Sequence, residues 1–362
     1  MILMSTDSIK VLKTPVFDKS KWMQLPRDVV IGHKVIEQLP KICEDLSIGK
    51  SVLIITGSAT MKVAGRLVND LLKDSCETHI YIANALSPDI IAEAESAAAG
   101  LDFIIGVGGG RVIDTAKIVS YNLDRQFISI PTAASHDGIA SSRASVPMEG
   151  GSVSLDAHPP LALVADTGII AAAPYRLLAS GCADIISNYT AVLDWELSNR
   201  ENGETLSEYA IALSKMTAEI LVKNADKIKP DDEAAAWMVI KALVSSGVAM
   251  SIAGSSRPAS GGEHKFSHAL DILAPGKGLH GEQCGIGTIM TMYLHGGDWR
   301  GIRNSLRKIG APTTPAELGI DDETAVKALL MAKEIRPERF TILDRNITVE
   351  SANELVKMLY RE

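Results

Sequence analysis

"FIIGVGGGRVIDTAKIVS", residues 103 to 120, changes character at its centre. It opens as a short β-branched run and closes with apolar residues spaced three and four apart, as in a helix. Between these parts stand Gly106, Gly108, Gly109 and Gly110. Such a loop lets the backbone turn tightly and approach a ligand with no side chain in the way. The helix that follows starts near Arg111 or Val112, and its free N–H groups point into the loop. That makes an anion site, most often for a pyrophosphate. A tight strand-to-helix turn with no ligand is the plain alternative. The motif is GxGGG rather than GxGxxG, and no Gly-Lys-Ser/Thr closes it as a P-loop requires.

The neighbouring sequence repeats the same rhythm. "DVVIG" (28–32), "SVLIIT" (51–56), "HIYIA" (79–83), "DFIIGV" (102–107) and "FISIP" (127–131) read as strands. Stretches with helical spacing lie between them, such as 59–74 and 87–100. Strand, helix, strand implies parallel pairing through right-handed crossovers. The expected fold class is therefore α/β, with an N-terminal doubly wound parallel sheet that binds a nucleotide. "ITGSAT" (55–60) offers a second turn that could touch it. "SRASVPMEGGSVSLDA" (142–157) reads as a hairpin turning at Glu149-Gly150-Gly151.

Past residue 166 the pattern changes. Residues 182–197, 206–228 and 231–253 are long and carry helical spacing, and no comparable strand runs follow. Asp231 and Asp232 suit the start of the third, since they accept from unpaired N–H groups there. Two domains are expected, an α/β domain over 1–165 and an all-helical domain over 166–362, with the active site in the cleft between them. A chain of 362 residues is long enough for both.

Composition narrows the function. A net charge of −8 argues against a nucleic-acid binder, which needs a basic face for phosphates. No uninterrupted apolar run approaches 18 residues, so no membrane span is expected. The start, "MILMSTDSIK", is a poor signal peptide. Cys43, Cys76, Cys182 and Cys284 are scattered and read as reduced thiols of a cytoplasmic protein.

Two further stretches carry polar groups. "PTAASHDGIASSRAS" (131–145) follows the carboxyl end of a strand, where ligands of open α/β sheets bind. "SGGEHKFSHAL" (260–270) and "HGEQCG" (280–285) place His264, His268 and His280 in one short window. His264 and His268 share a helix face and could clamp a metal together. A partly exposed pair and a loop histidine is the bland reading. Lys265 stands where a zincin carries Glu, which argues against a metalloprotease. Cys284 is a possible soft ligand, though such a cysteine is more often a small buried residue.

The motifs "GVGGGRVIDTAK", "PTAASHDGIASSRASV", "ADIISNYTAVLDW", "GGEHKFSHAL" and "HGEQCGIGT" resemble the glycerol dehydrogenase/dehydroquinate synthase superfamily over nearly the whole chain. Within it they resemble the archaeal sn-glycerol-1-phosphate dehydrogenases. The resemblance implies reduction of dihydroxyacetone phosphate to sn-glycerol 1-phosphate with NAD(P)H and Zn²⁺. It implies cofactor contacts from Gly110, Arg111, Val112, Ile113 and Asp114, and from Thr132, Ala133, Ala134, Ser135 and Ser141. It assigns Asp184, His264 and His280 to a catalytic zinc, Asp137, Asp184 and His268 to substrate, and catalysis to Asp184 and His268. A homo-oligomer is expected. For the substrate phosphate, Arg143, Arg257, Lys265 and Lys277 are the candidate cations. The alternatives are a dehydrogenase of glycerol or another polyol, a dehydroquinate-synthase-like lyase, and a non-catalytic nucleotide sensor.

Overall fold

The computed structural model describes residues 23–148 and 151–361. Its strands are β1 (Asp28–Gly32), β2 (Ser51–Thr56), β3 (Glu77–Ile82), β4 (Phe103–Gly108), β5 (Phe127–Pro131), β6 (Arg143–Met148), β7 (Gly151–Asp156) and β8 (Ala162–Asp166). Six form one parallel sheet in the order β1-β8-β5-β4-β2-β3. The helices that matter for the site are α1 (Pro88–Ala98), α2 (Gly110–Asn122), α3 (Tyr175–Asn202), α4 (Glu208–Lys223), α5 (Glu233–Ala253), α6 (Gly262–Leu273) and α7 (His280–Leu294).

Alternation along the strands fills both faces of the sheet. Val52 and Ile54 pack with Ile105, Ile128 and Val164 on one face. Leu53 and Ile55 pack with Ile104, Ile113 and Phe127 on the other. Strands covered on both sides read as continuous apolar runs, which is why β2 and β4 stand out in the sequence. β8, "ALVAD", does not stand out, yet it lies between β1 and β5. Its small residues follow two prolines and give no β-branched run. The antiparallel pair β6–β7 is the expected hairpin, with Met148 opposite Gly151. Its tip, Glu149 and Gly150, lies outside the described residues.

After β8 only helices follow among the described residues. α3 begins at Tyr175 rather than at Cys182, because Gly181 does not interrupt it. A Cβ on Gly181 would lie 2.0 Å from the Ala134 carbonyl oxygen, so the glycine is where the polar loop 131–145 meets the helix. Gly281 makes a similar close approach in the next layer: its Cβ would lie 2.0 Å from the Ser180 carbonyl oxygen. These two approaches bring α3, the loop and the start of α7 together. α5 is capped as expected, with Asp232 accepting from the Ala234 N–H at 2.8 Å. By length and composition α5 could cross a membrane, but 67% of its most apolar window is buried within the chain. Its apolarity is that of a core helix.

A cleft with a candidate metal centre

β2 leads to β3 on one side and β4 returns on the other, so the sheet switches direction between β2 and β4. Open α/β sheets bind ligands at the carboxyl ends of strands at such a point. A cleft of about 550 Å³ opens there. One end is lined by Gly57, Ser58 and Thr60 after β2, by Asn84 after β3, and by Gly109, Gly110 and Arg111 at the start of α2. The loop after β5 contributes Ala133, Ser135, His136, Asp137 and Ser141. The other end is lined by His264, His268 and His280.

At that end Asp184, 3% exposed, rises from α3 beneath the histidines. His264 and His280 each place Nε2 3.7 Å from Asp184 Oδ1. The far sides of both rings are tied. His264 Nδ1 lies 3.0 Å from Glu263 Oε1, which also accepts the Gly261 N–H. Ser267 Oγ donates to Gln283 Oε1 at 2.6 Å, leaving a lone pair for His280 Nδ1–H at 3.2 Å. Both Nδ1 atoms therefore carry the proton, and both Nε2 lone pairs face a carboxylate oxygen. These three acceptor atoms repel one another unless a proton or a cation joins them. Zn–N and Zn–O bonds near 2.0–2.1 Å in a tetrahedron set donors about 3.3 Å apart, close to the separations here. Acceptors on the distal nitrogens are what metal-binding histidines require. The residues fit a zinc ion.

Cys284 enters the same group. Its Sγ lies 3.7 Å from His280 Nε2, and one ligand atom from each of Asp184, His264, His280 and Cys284 falls within 4.8 Å of the others. Burial and the charges of Asp184 and Glu263 push its thiol pKa well up, so without a cation it stays protonated.

Burial governs the other titrations. It raises Asp184 to about 7. It raises Asp137 to about 7 as well, aided by the Asp184 charge, whose Oδ2 accepts the Asp137 N–H at 3.0 Å. It pulls His264 and His268 well below the usual imidazole range and also lowers His280. The site holds neutral imidazoles ready to offer lone pairs. His268, 7% exposed, lines the cleft with its Nδ1 4.0 Å from Asp271. It stands aside from the ligand group, so the i, i+4 pair is not the clamp.

Most of the expected cofactor residues line the cleft, but Ile113, Thr132 and Ala134 do not. Ile113 turns to the sheet and is fully buried in the core. Thr132 and Ala134 are buried, with the Ala134 carbonyl against Gly181. Of the four candidate cations only Arg143 lines the cleft. Arg257 is spent on Glu204 and the Phe340 carbonyl. Lys265 is spent on Asp344 and the Arg339 carbonyl. Lys277 is exposed beside a separate shallow pocket. His136 and Arg336, both in the cleft wall, were not anticipated from the sequence.

Fold and site together describe a metal-dependent dehydrogenase that binds a nicotinamide dinucleotide. The iron-containing alcohol dehydrogenase family profile matches residues 30–174. The fold is that of a glycerol dehydrogenase from Schizosaccharomyces pombe, with a TM-score of 0.78, 19% identity, and 94% of this chain and 90% of that one covered. A probable glycerol dehydrogenase from Sinorhizobium meliloti superposes with a TM-score of 0.77, 22% identity, and 94% and 98% covered. A glycerol-1-phosphate dehydrogenase (NAD(P)+) from Methanoculleus marisnigri is 72% identical over 360 residues, 99% of this chain and all of that one. The one from Methanoregula boonei is 70% identical over 359 residues, again 99% and all. The chain belongs to the glycerol-1-phosphate dehydrogenase (NAD(P)+) family.

Proposed function

We propose that this cleft reduces the ketone of dihydroxyacetone phosphate to give sn-glycerol 1-phosphate, the glycerol backbone of archaeal membrane lipids, using NAD(P)H. The carrying observation is the convergence of Asp184, His264 and His280 at one end of a cleft whose other end is a glycine loop at a helix N-terminus. On this reading the chain divides at about residue 165, with the active site between the two halves. A polyol dehydrogenase would use the same centre. The near-full-length identity to glycerol-1-phosphate dehydrogenases favours the phosphorylated substrate.

Asp184, His264 and His280 would hold a zinc ion that supplies positive charge at the carbonyl oxygen, and a bound nicotinamide would supply hydride from C4. The chain's own groups do the rest. The α2 N-terminus and Ser135 and Ser141 hold the dinucleotide against the sheet. Glu263 and Ser267 fix the rings of His264 and His280 before substrate arrives. Asp137, steadied by the Ser246 hydroxyl at 2.9 Å, is placed to accept a substrate hydroxyl. A proton reaches the new hydroxyl oxygen through His268, acting as a neutral relay, or through an ordered water. Purified protein with NADPH should consume nicotinamide absorbance when dihydroxyacetone phosphate is added; inertness toward it would reject the reading.

Both nicotinamides serve. An acid at the end of the strand after the first crossover commonly binds the ribose 2′-OH and repels a 2′-phosphate. Here Asn84 fills that place, its Oδ1 accepting the Ser58 N–H at 2.8 Å. The first acid, Asp89, lies in the first turn of α1. KM values for NADH and NADPH should differ by less than about a hundredfold, a gap that one well-placed charge can create. Steady-state kinetics with each cofactor measures this, and a larger penalty on NADPH contradicts it.

The chain is further read as a cytoplasmic homo-oligomer. Its four cysteines are free, and Ile80 and Ile82 are exposed on the edge strand β3.

A further inference from the structure

Four arginines gather at the histidine end of the cleft. Two are committed to the protein. Arg257 pairs with Glu204. Arg339 donates to the Ser260 carbonyl at 2.7 Å and to Ser256 Oγ at 2.9 Å. The other two line the cleft beside Ser256, Ser260 and the histidines: Arg143 on β6, and Arg336 in the turn after a short 3-10 helix, Ala332–Glu334. Arg143 is held by Asp156 at 2.5 Å, a carboxylate 75% exposed and therefore a weak counter-charge. Arg336 makes no side-chain hydrogen bond or ion pair among the described residues.

Its backbone is also unusual. Arg336 sits at φ 49, a left-handed conformation that a side chain disfavours. The turn is closed by the Arg339 N–H donating to the Arg336 carbonyl at 2.9 Å. Strain of this kind clusters at ligand sites, and of the five non-glycine residues that carry it here among the described residues only Arg336 lines the cleft.

The charge in this wall is not balanced. Burial and the neighbouring Arg336, Arg257 and Arg143 pull Arg339 down to about 9. Burial and then Arg143 pull Arg336 down, with Glu338 the acid that opposes them. Arg336 lines the same cleft as His264, His268 and His280, so it faces the proposed reacting end. Two guanidinium groups facing a cleft without a full counter-charge are suited to a dianion, and their forks match phosphate oxygens.

We propose that Arg336, together with Arg143, grips the phosphate of the substrate and sets the preference for a phosphorylated over an unphosphorylated ketone. The inference rests on reading the cleft as a glycerol-1-phosphate dehydrogenase site. It adds a specificity residue lying more than 50 positions beyond His280, outside every motif the sequence offered.

The test compares wild type with Arg336→Gln, Arg336→Lys and Arg143→Gln on dihydroxyacetone phosphate and on dihydroxyacetone, at saturating NADPH. Loss of one forked phosphate contact should lower kcat/KM for the phosphorylated ketone by about 100-fold in Arg336→Gln, chiefly through KM. The ratio of the two substrates' kcat/KM should fall with it. Arg336→Lys keeps the charge but not the fork, and should lose about tenfold. Inorganic phosphate should compete with dihydroxyacetone phosphate in wild type and bind at least about tenfold more weakly to Arg336→Gln. Metal content and NADPH binding report whether each variant is folded; should Arg336→Gln be misfolded, the Lys variant and the phosphate competition decide. Equal losses on both ketones, or undiminished phosphate competition, would overturn the role of Arg336 while leaving the parent reading intact. A wild type indifferent to the phosphate would instead overturn the parent reading, and this proposal with it.

Discussion

Dialysis against a chelator should abolish activity, and Zn²⁺ should restore it. The loss should be on the order of 10³-fold or more, since the Lewis-acid stabilisation of the developing alkoxide would go with the metal. The expectation follows from two imidazoles whose protons are tied on the far side and whose lone pairs face Asp184 Oδ1 at 3.7 Å. Substitutions separate the roles. His264→Ala and His280→Ala should each lower bound metal and activity together. His268→Ala should keep the metal while turnover falls, because His268 lies beside the ligand group and not in it. Metal analysis alongside kinetics checks all three. Full activity in a preparation shown to be metal-free would refute the centre, and a His268→Ala variant as metal-poor as His264→Ala would refute the ligand assignment.

Dihydroxyacetone phosphate should be preferred over dihydroxyacetone by a factor on the order of 10³ in kcat/KM. Each charge-assisted hydrogen bond to the phosphate contributes about 1.5–3 kcal/mol, and two or three of them reach that factor. The dianion is remote from the ketone, so its binding energy orients the carbon that must receive hydride. The cleft supports this with Arg143 and Arg336 in its wall. The comparison is made at saturating NADPH, and equal values for the two ketones would favour the polyol dehydrogenase reading.

Much of the α/β half was legible because its central strands β2, β4 and β5 are buried on both faces and therefore nearly continuous in apolar residues. β8 escaped because Ala162 to Asp166 is short, rich in alanine and preceded by prolines, a run that periodicity cannot assign. The start of α3 was misplaced because a glycine inside a helix looks like a break until the carbonyl packed against it is seen. The metal centre has no short-range signature. Asp184, His264 and His280 come from three helices, and only family resemblance grouped them. Glu263, next to His264 in the chain, could have been suspected as its acceptor. The phosphate cations show the limit of adjacency. Lys265 and Lys277 sit near the histidines in sequence but are turned away or spent elsewhere. Arg336 lines the same cleft from a turn with no pattern of its own.

The most direct measurement is chiral analysis of the product formed from dihydroxyacetone phosphate and NADPH. The expected product is sn-glycerol 1-phosphate, formed in one-to-one proportion with NADPH oxidised. Formation of sn-glycerol 3-phosphate, or no glycerol phosphate at all while dihydroxyacetone is reduced, would contradict the assignment.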